Sequence, residues 1–151
     1  MGNSVHGRRR NRRTEVGLTF IELALFVPAL LLVVIGGIDL ARAFYASVAL
    51  ANAAEVGALY GSRSVSASSD TSGMQTAATN VGKDLTMIAT TTRYCSCGSG
   101  PAQSCPASCS EGNSSHTYVK VETTHTFNPF FPVPGIPSSV PLTRTAMMRV
   151  Q

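Results

Sequence analysis

The sequence predicts an α+β protein: a long N-terminal helix whose first half spans a membrane, a second amphipathic helix, and a small antiparallel sheet with a disulfide-bonded loop. Three observations lead there. Gly17–Ile38, GLTFIELALFVPALLLVVIGGI, is apolar enough to sit in a bilayer and carries one carboxylate, Glu22. An alanine-rich stretch continues it without a break. The last third of the chain changes to two-residue alternation around four cysteines.

Charge locates the boundaries. Charged residues make up 13% of the 151-residue chain, against about 25% in an ordinary soluble domain. The formal net charge is +4. Five of the twelve Lys/Arg (Arg8, Arg9, Arg10, Arg12 and Arg13) and one of the eight Asp/Glu (Glu15) fall in residues 1–17, leaving seven of each in the neutral remainder. A basic cluster can bind nucleic acid or mark a targeting segment. Because this one abuts an apolar run, the topological reading is preferred and no nucleic-acid partner is expected. Arginines stay cytoplasmic and the C-terminal side crosses the membrane. Residues 1–17, without apolar period, read as a leader.

The first helix is predicted over residues 18–61, with its transmembrane part over about 18–45. Leu23–Ile38 alone is sixteen residues, short of the roughly 20 that a spanning helix needs. Leu18–Ile21 and Leu40–Tyr45 bring it to length. Pro28 would kink or loosen a soluble helix, but membrane helices tolerate it. The apolar run exceeds the 7–15 residues usual in a cleaved secretory signal. From Asp39 to Gly61 alanine favours helix. Leu40, Phe44 and Val48 form a stripe that could face a partner. Ala46, Ala49, Ala53, Gly57 and Gly61 permit close helix approach, either on the protein's own sheet or along a filament seam. Gly61 is expected as the C-cap.

Residues 62–73, SRSVSASSDTSG, have linker composition. Residues 74–151 are expected to form an extracytoplasmic α+β head. Ser72 and Gln75 fit a capping box. Met74, Ala77, Ala78, Val81, Leu85 and Ile88 then recur at helical spacing, predicting a second helix of about 16 residues. Thr90–Tyr94 is β-prone. In His116–Phe127 the residues Val119, Val121 and Phe127 share one face, and Lys120 and Glu122 the other. Asn128–Pro141 contains five prolines, which exclude a regular element. Phe130 and Phe131 there either fold back over the core or form an apolar patch for a partner. Leu142, Ala146, Met148 and Val150 alternate again, with Arg144 interrupting their face. A sheet this small has little core of its own.

Cys95, Cys97, Cys105 and Cys109 lie on the side assigned to an oxidising compartment and read as two disulfides of open connectivity, with Cys95 and Cys97 each pairing outward. Reduced thiols and a zinc site with His116 or His125 as further ligands are the alternatives, but C-x-C fits the usual zinc spacing of C-x₂₋₄-C poorly. No cofactor, metal or catalytic residue is expected: the chain shows no nucleophile triad, phosphate loop or paired carboxylates, so it does not read as an enzyme.

Glu22 asks for a partner, because an acidic side chain near the membrane centre costs roughly 2.5–3.5 kcal/mol, less toward the interface. Here a resemblance enters. A basic leader, Gly17, an apolar tetrad, Glu22 and about twenty apolar residues resemble the processing site of type IV pilins and pseudopilins. The resemblance implies a pilin-like fold, cleavage after Gly17 by a prepilin peptidase, and a methylated new terminus at Leu18. In that family the glutamate pairs with the N-terminal amine of a neighbouring subunit. Glu22-Leu-Ala-Leu25, Pro28, Gly36-Gly37, Asp39, Arg42-Ala-Phe-Tyr45, Asn52-Ala-Ala-Glu55, Gly57-Ala58 and Tyr60-Gly61 are similar to the TadE-like family, as are Asn128-Pro-Phe-Phe and Leu142–Arg149. Leu23 stands where that family often has an aromatic. The resemblance implies a minor pilin or pseudopilin of the tight-adherence (Flp) pilus system, acting in adhesion or secretion. Its implied partners are other pilin subunits, the prepilin peptidase and the Tad inner-membrane machinery. The implied location is the bacterial inner membrane, single pass, N-terminus cytoplasmic and head outside, with incorporation into a surface pilus. Asp39 and Arg42 read either as an i, i+3 helix pair or as intersubunit pairing groups. The competing reading is an uncleaved single-pass envelope protein whose disulfide-bonded domain binds a ligand or partner.

Overall fold

The structure is a computed structural model that describes residues 12–109, 114–130, 135 and 137–151, with the backbone alone for residues 12–19. Six elements follow in chain order: α1 (Arg12–Ser62), α2 (Val65–Ser69), α3 (Thr71–Val81), β1 (Met87–Cys97), β2 (Ser115–Phe127) and β3 (Val140–Arg149). The chain divides into two compact units, Met1–Leu40 and Ala41–Gln151. The second half of α1 and residues 62–73 therefore belong with the head.

In the first unit, α1 runs through Pro28 without ending. Its described side chains are almost all exposed, among them Phe20, Leu25, Phe26, Leu32 and Val33. A helix apolar on every side suits lipid rather than one buried face, and its length and hydropathy suffice to cross a membrane. This supports membrane anchoring.

In the second unit, three antiparallel strands lie in the order β1-β2-β3. β1 pairs with β2 from Met87↔His125 to Cys97↔Ser115, and β2 with β3 from Tyr118↔Arg149 to Phe127↔Val140. The alternation read from the sequence sets the faces. Val119, Val121 and Phe127 are buried, and the strand period adds Thr123 to the same side. Lys120 and Glu122 face out and pair at 3.1 Å. Ala58, Met74, Ala78, Ala89, Val119, Val121 and Val150 make one core cluster. Leu50 is fully buried, a side-chain burial that stabilises by about 1.5–3 kcal/mol. On the open face Tyr94 and Tyr118, opposite in register, stack at 5.4 Å between centroids.

The second helix is shorter than its sequence period suggests. α3 ends at Val81 with Gly82 as C-cap, and Leu85 N–H closes a turn on the Gly82 carbonyl at 2.9 Å. Leu85 and Ile88 keep helical spacing with Met74 and Ala78, but Ile88 lies in β1. The β-branched run of Ile88 and Thr90–Thr92 favours the ladder with β2. The stretch expected as linker holds the one-turn α2, N-capped by Ser64, which accepts from Ala67 N–H at 3.1 Å. The cap of α3 is Asp70 rather than Ser72: its Oδ1 accepts from Gly73 N–H at 2.8 Å, and Ser72 Oγ donates to the same oxygen at 2.9 Å. Gly61 lies inside α1 rather than capping it, buried against Met74 and Val119. The end of α1 is satisfied from the far end of the sequence: Gln151 N–H donates to the Ser62 carbonyl at 3.0 Å, filling one of the four acceptors that a helix terminus leaves open.

Tyr60 Oη donates to Asp70 Oδ2 at 2.8 Å, tying α1 to the α2–α3 junction. The Gly73 N–H, the Tyr60 hydroxyl and the Ser72 hydroxyl hold the Asp70 carboxyl below its ordinary value. The bond to Asp70, with the carboxylate charge, raises the Tyr60 phenol. By linkage, a depressed carboxyl stabilises the fold above its unfolded pKa and loses that contribution as pH falls through its folded pKa. A raised phenol contributes below its unfolded pKa and loses its share as pH rises through the folded one. Asp70→Asn is therefore expected to lower the melting temperature at neutral pH and to flatten the acid limb of the stability profile. Melting the detergent-solubilised chain from neutral to acidic pH checks this; an unchanged acid limb would show that Asp70 does not supply it.

Candidate assembly surface

Of the processing residues, Gly17 and Leu18 lie within α1, and their side chains are outside the described residues. One turn on, Glu22 is exposed among Phe20, Ile21, Leu23, Leu25 and Phe26, all more than half exposed. Among the described residues no cation pairs with its carboxylate. Further along the same unit, a Cβ added at Gly36 or Gly37 would meet nothing within 4 Å. Packing within the described chain does not demand glycine at either place.

Past the apolar run, Asp39 is half-buried and Arg42 is exposed. The Arg42 guanidinium lies over the Phe130 ring, 3.9 Å from its centroid, and 5.3 Å from that of Phe127. Such cation–π contacts stabilise by about 0.5–1 kcal/mol at exposed sites. The sequence weighed a helix pair or an intersubunit pair for Arg42, and nothing local signals a ring more than eighty residues away. Phe127 is buried. Phe130 remains 63% exposed, and its sequence neighbour Phe131 lies outside the described residues.

The small-residue run is used within the chain. Ala46, Ala53, Ala54 and Ala58 are buried. A Cβ at Gly57 would sit 3.0 Å from the Met74 carbonyl oxygen and 3.1 Å from both Ala78 Cβ and Val121 Cγ1. These residues let α1 lie against α3 and the sheet. Thr123 Oγ1 fastens the contact by donating to the Leu50 carbonyl at 2.9 Å. Arg144, the anomaly in the β3 alternation, donates from Nη2 to Ser47 Oγ on α1. The larger residues Leu40, Phe44, Val48, Val56 and Leu59 stay exposed.

All four cysteines are bonded, Cys95 to Cys105 and Cys97 to Cys109. The connectivity left open by the sequence is crossed, with Cys95 and Cys97 each pairing outward. The first bond brings the loop back to β1, where Cys95 and Gln103 exchange two backbone hydrogen bonds of 2.8 Å. His116 and His125 stand at opposite ends of β2, and His125 Nδ1 lies 2.8 Å from the Thr86 carbonyl. Among the described residues no cluster of three His, Cys, Asp or Glu side chains is placed to hold a metal.

In comparison with known families, residues 17–59 fit the family model of the TadE-like protein. The match opens on Gly17, contains Glu22, Asp39 and Arg42, and stops before the end of α1. The match covers 43 of the chain's 151 residues. The resemblance noted at residues 128–149 lies outside it. No curated protein and no solved structure matches the chain.

Proposed function

We propose that this chain, TadE-like over residues 17–59, is a minor pilin or pseudopilin: a non-enzymatic subunit that enters Tad/Flp assemblies through its N-terminal helix. Prepilin peptidase removes residues 1–17, and Leu18 becomes the first residue, with a free or methylated amine. The head lies outside the inner membrane. One observation carries the reading. A carboxylate, Glu22, sits on an otherwise apolar, uncovered helix, and none of the described residues supplies it with a cation.

The physical argument is a mutual need. A carboxylate and an ammonium in lipid are each costly alone, and losing one member of a buried pair costs about 3–5 kcal/mol. Cleavage after Gly17 creates that ammonium four residues from Glu22. A copy shifted along the helix axis can present its amine to this carboxylate. That contact is heterologous and does not close on itself, so it repeats into a helical assembly. Gly36 and Gly37, open on their surroundings, support a helix that neighbours approach closely.

Two measurements test this. Intact mass of membrane-extracted protein should correspond to residues 18–151 in cells with an active prepilin peptidase. Retention of residues 1–17 would favour the uncleaved, membrane-anchored envelope protein. Glu22→Ala should insert and be processed as usual but be absent from sheared surface assemblies. Recovery of that variant in assemblies at the unmodified level would remove the pairing argument.

A further inference from the structure

We infer that the outer edge of β3, from Thr143 to Arg149, docks an extended segment of another protein. That segment adds to the three-stranded sheet as a further strand and places a carboxylate opposite Arg149. The inference stands on the head alone and does not depend on the pilus reading.

β3 is an edge strand, and two bonds just past its end show which way its backbone groups point. Val150 N–H donates to the Thr117 carbonyl at 2.8 Å, so the even-numbered residues turn toward β2. Gln151 N–H turns the other way, to the Ser62 carbonyl. Thr145, Met147 and Arg149 therefore aim N–H and C=O away from the sheet. Among the described residues none of these groups has a backbone partner. The Thr143 N–H is open in the same way, while its carbonyl accepts from Arg144 Nη1 at 3.0 Å. Thr143, Thr145, Met147 and Arg149 are all exposed. Such a row is a template for another strand, and proteins blunt it with proline, a bulge or a covering loop. This chain does so elsewhere: Gln103 bonds to the edge of β1 at Cys95, and Pro141 offers no N–H at the start of β3. From Thr143 onward the register with β2 runs without a bulge.

Charge selects the occupant. β3 holds Arg144 and Arg149 and no carboxylate. Arg144 is engaged by Ser47 and Thr143. Arg149 is exposed and makes no ion pair among the described residues. Opposite charges facing each other across a strand pair are favourable, and like charges are not. The β3 strand of a second copy would bring further arginines and no acid. The better complement is a strand of another protein with Asp or Glu facing Arg149.

The probe is a synthetic peptide with blocked ends, Glu-Val-Thr-Val-Thr-Val-Thr, which runs antiparallel to β3 with its Glu opposite Arg149. It is added at millimolar concentration to the full chain in detergent, and amide hydrogen exchange is followed by NMR. In the free chain the Thr145 and Met147 amides should exchange quickly, and those of Ala146 and Met148 slowly. The peptide should slow Thr145 and Met147 several-fold. Exchanging its Glu for Gln should weaken binding about threefold, and Arg149→Gln should erase that difference. Thr145→Pro removes an outward N–H and leaves the ladder with β2 intact. It should abolish the protection of Met147 by peptide while Ala146 and Met148 stay slow. Unchanged exchange with peptide, or equal protection in Thr145→Pro, would overturn the docking edge. Equal binding of the Glu and Gln peptides would overturn the acidic occupant. Slow Thr145 and Met147 amides in the free chain would overturn the inference too. They would mean a second copy on the edge if the slowing grew with chain concentration, and cover from the same chain if it did not.

Discussion

Gly57→Val is expected to destabilise the head by about 3 kcal/mol, the upper part of the range for overpacking a tight contact. Three atoms from three elements converge on the place where a Cβ would go: the Met74 carbonyl on α3, Ala78 Cβ one turn later, and Val121 Cγ1 on β2. The first is backbone and cannot swing aside. Alanine meets the same three neighbours at 3.0–3.1 Å, but it gains about 1 kcal/mol of helix propensity over glycine, which offsets part of the strain. Valine adds two methyls and lacks much of that gain. The neighbouring Val56 is partly exposed, and Val56→Ala should change stability by less than about 0.5 kcal/mol. Urea denaturation of the full chain in detergent, followed by the circular dichroism of the sheet, separates the two. Equal midpoints for Gly57→Val and the unmodified chain would mean that α1 does not press on α3 and β2 as described.

Local periodicity made much of this fold legible. The β2 faces follow from Val119, Val121 and Phe127, because one face of a small sheet must be apolar and the period of two leaves no choice of partner side. The membrane segment was legible for a similar reason: lipid imposes one requirement along the whole run, and Glu22 stands out by breaking it. What could not be read depends on residues distant in sequence. Leu85 and Ile88 extend the α3 spacing, and only pairing of β1 with β2, some thirty residues on, draws Ile88 into a strand. Arg144 looked like an error in the β3 pattern until Ser47, nearly a hundred residues earlier, supplied its acceptor. Asp70 takes the capping role expected of Ser72, and Tyr60 reaches the same carboxylate from α1. The candidate site divides in the same way. Gly17, Leu18 and Glu22 were recognisable as a local pattern, whereas the Arg42–Phe130 contact exists only once the sheet returns the chain to α1.

Removing the two disulfides should be the most damaging change to the head. Their half-cystines are 10 and 12 residues apart in sequence, and closing loops of that size stabilises by about 3 kcal/mol each through the unfolded chain. The gains do not simply add, because the loops cross and share residues 97–105. Even so, the pair weighs heavily against the 5–15 kcal/mol of a typical domain. The two bonds are not equivalent. Cys95 is buried, with its sulfur 3.4 Å from Thr117 Oγ1 and its backbone bonded to Gln103, whereas Cys97 is only half-buried. Replacing both Cys95 and Cys105 by serine should lower the urea midpoint more than the same change at Cys97 and Cys109. It should also release the Gln103 amide to hydrogen exchange. Dithiothreitol on the unmodified chain should reproduce the combined loss, leaving the helical signal of the membrane segment in place. A head that melts at the same urea concentration with and without reductant would show that α1, α3 and the three strands hold together without the cysteines.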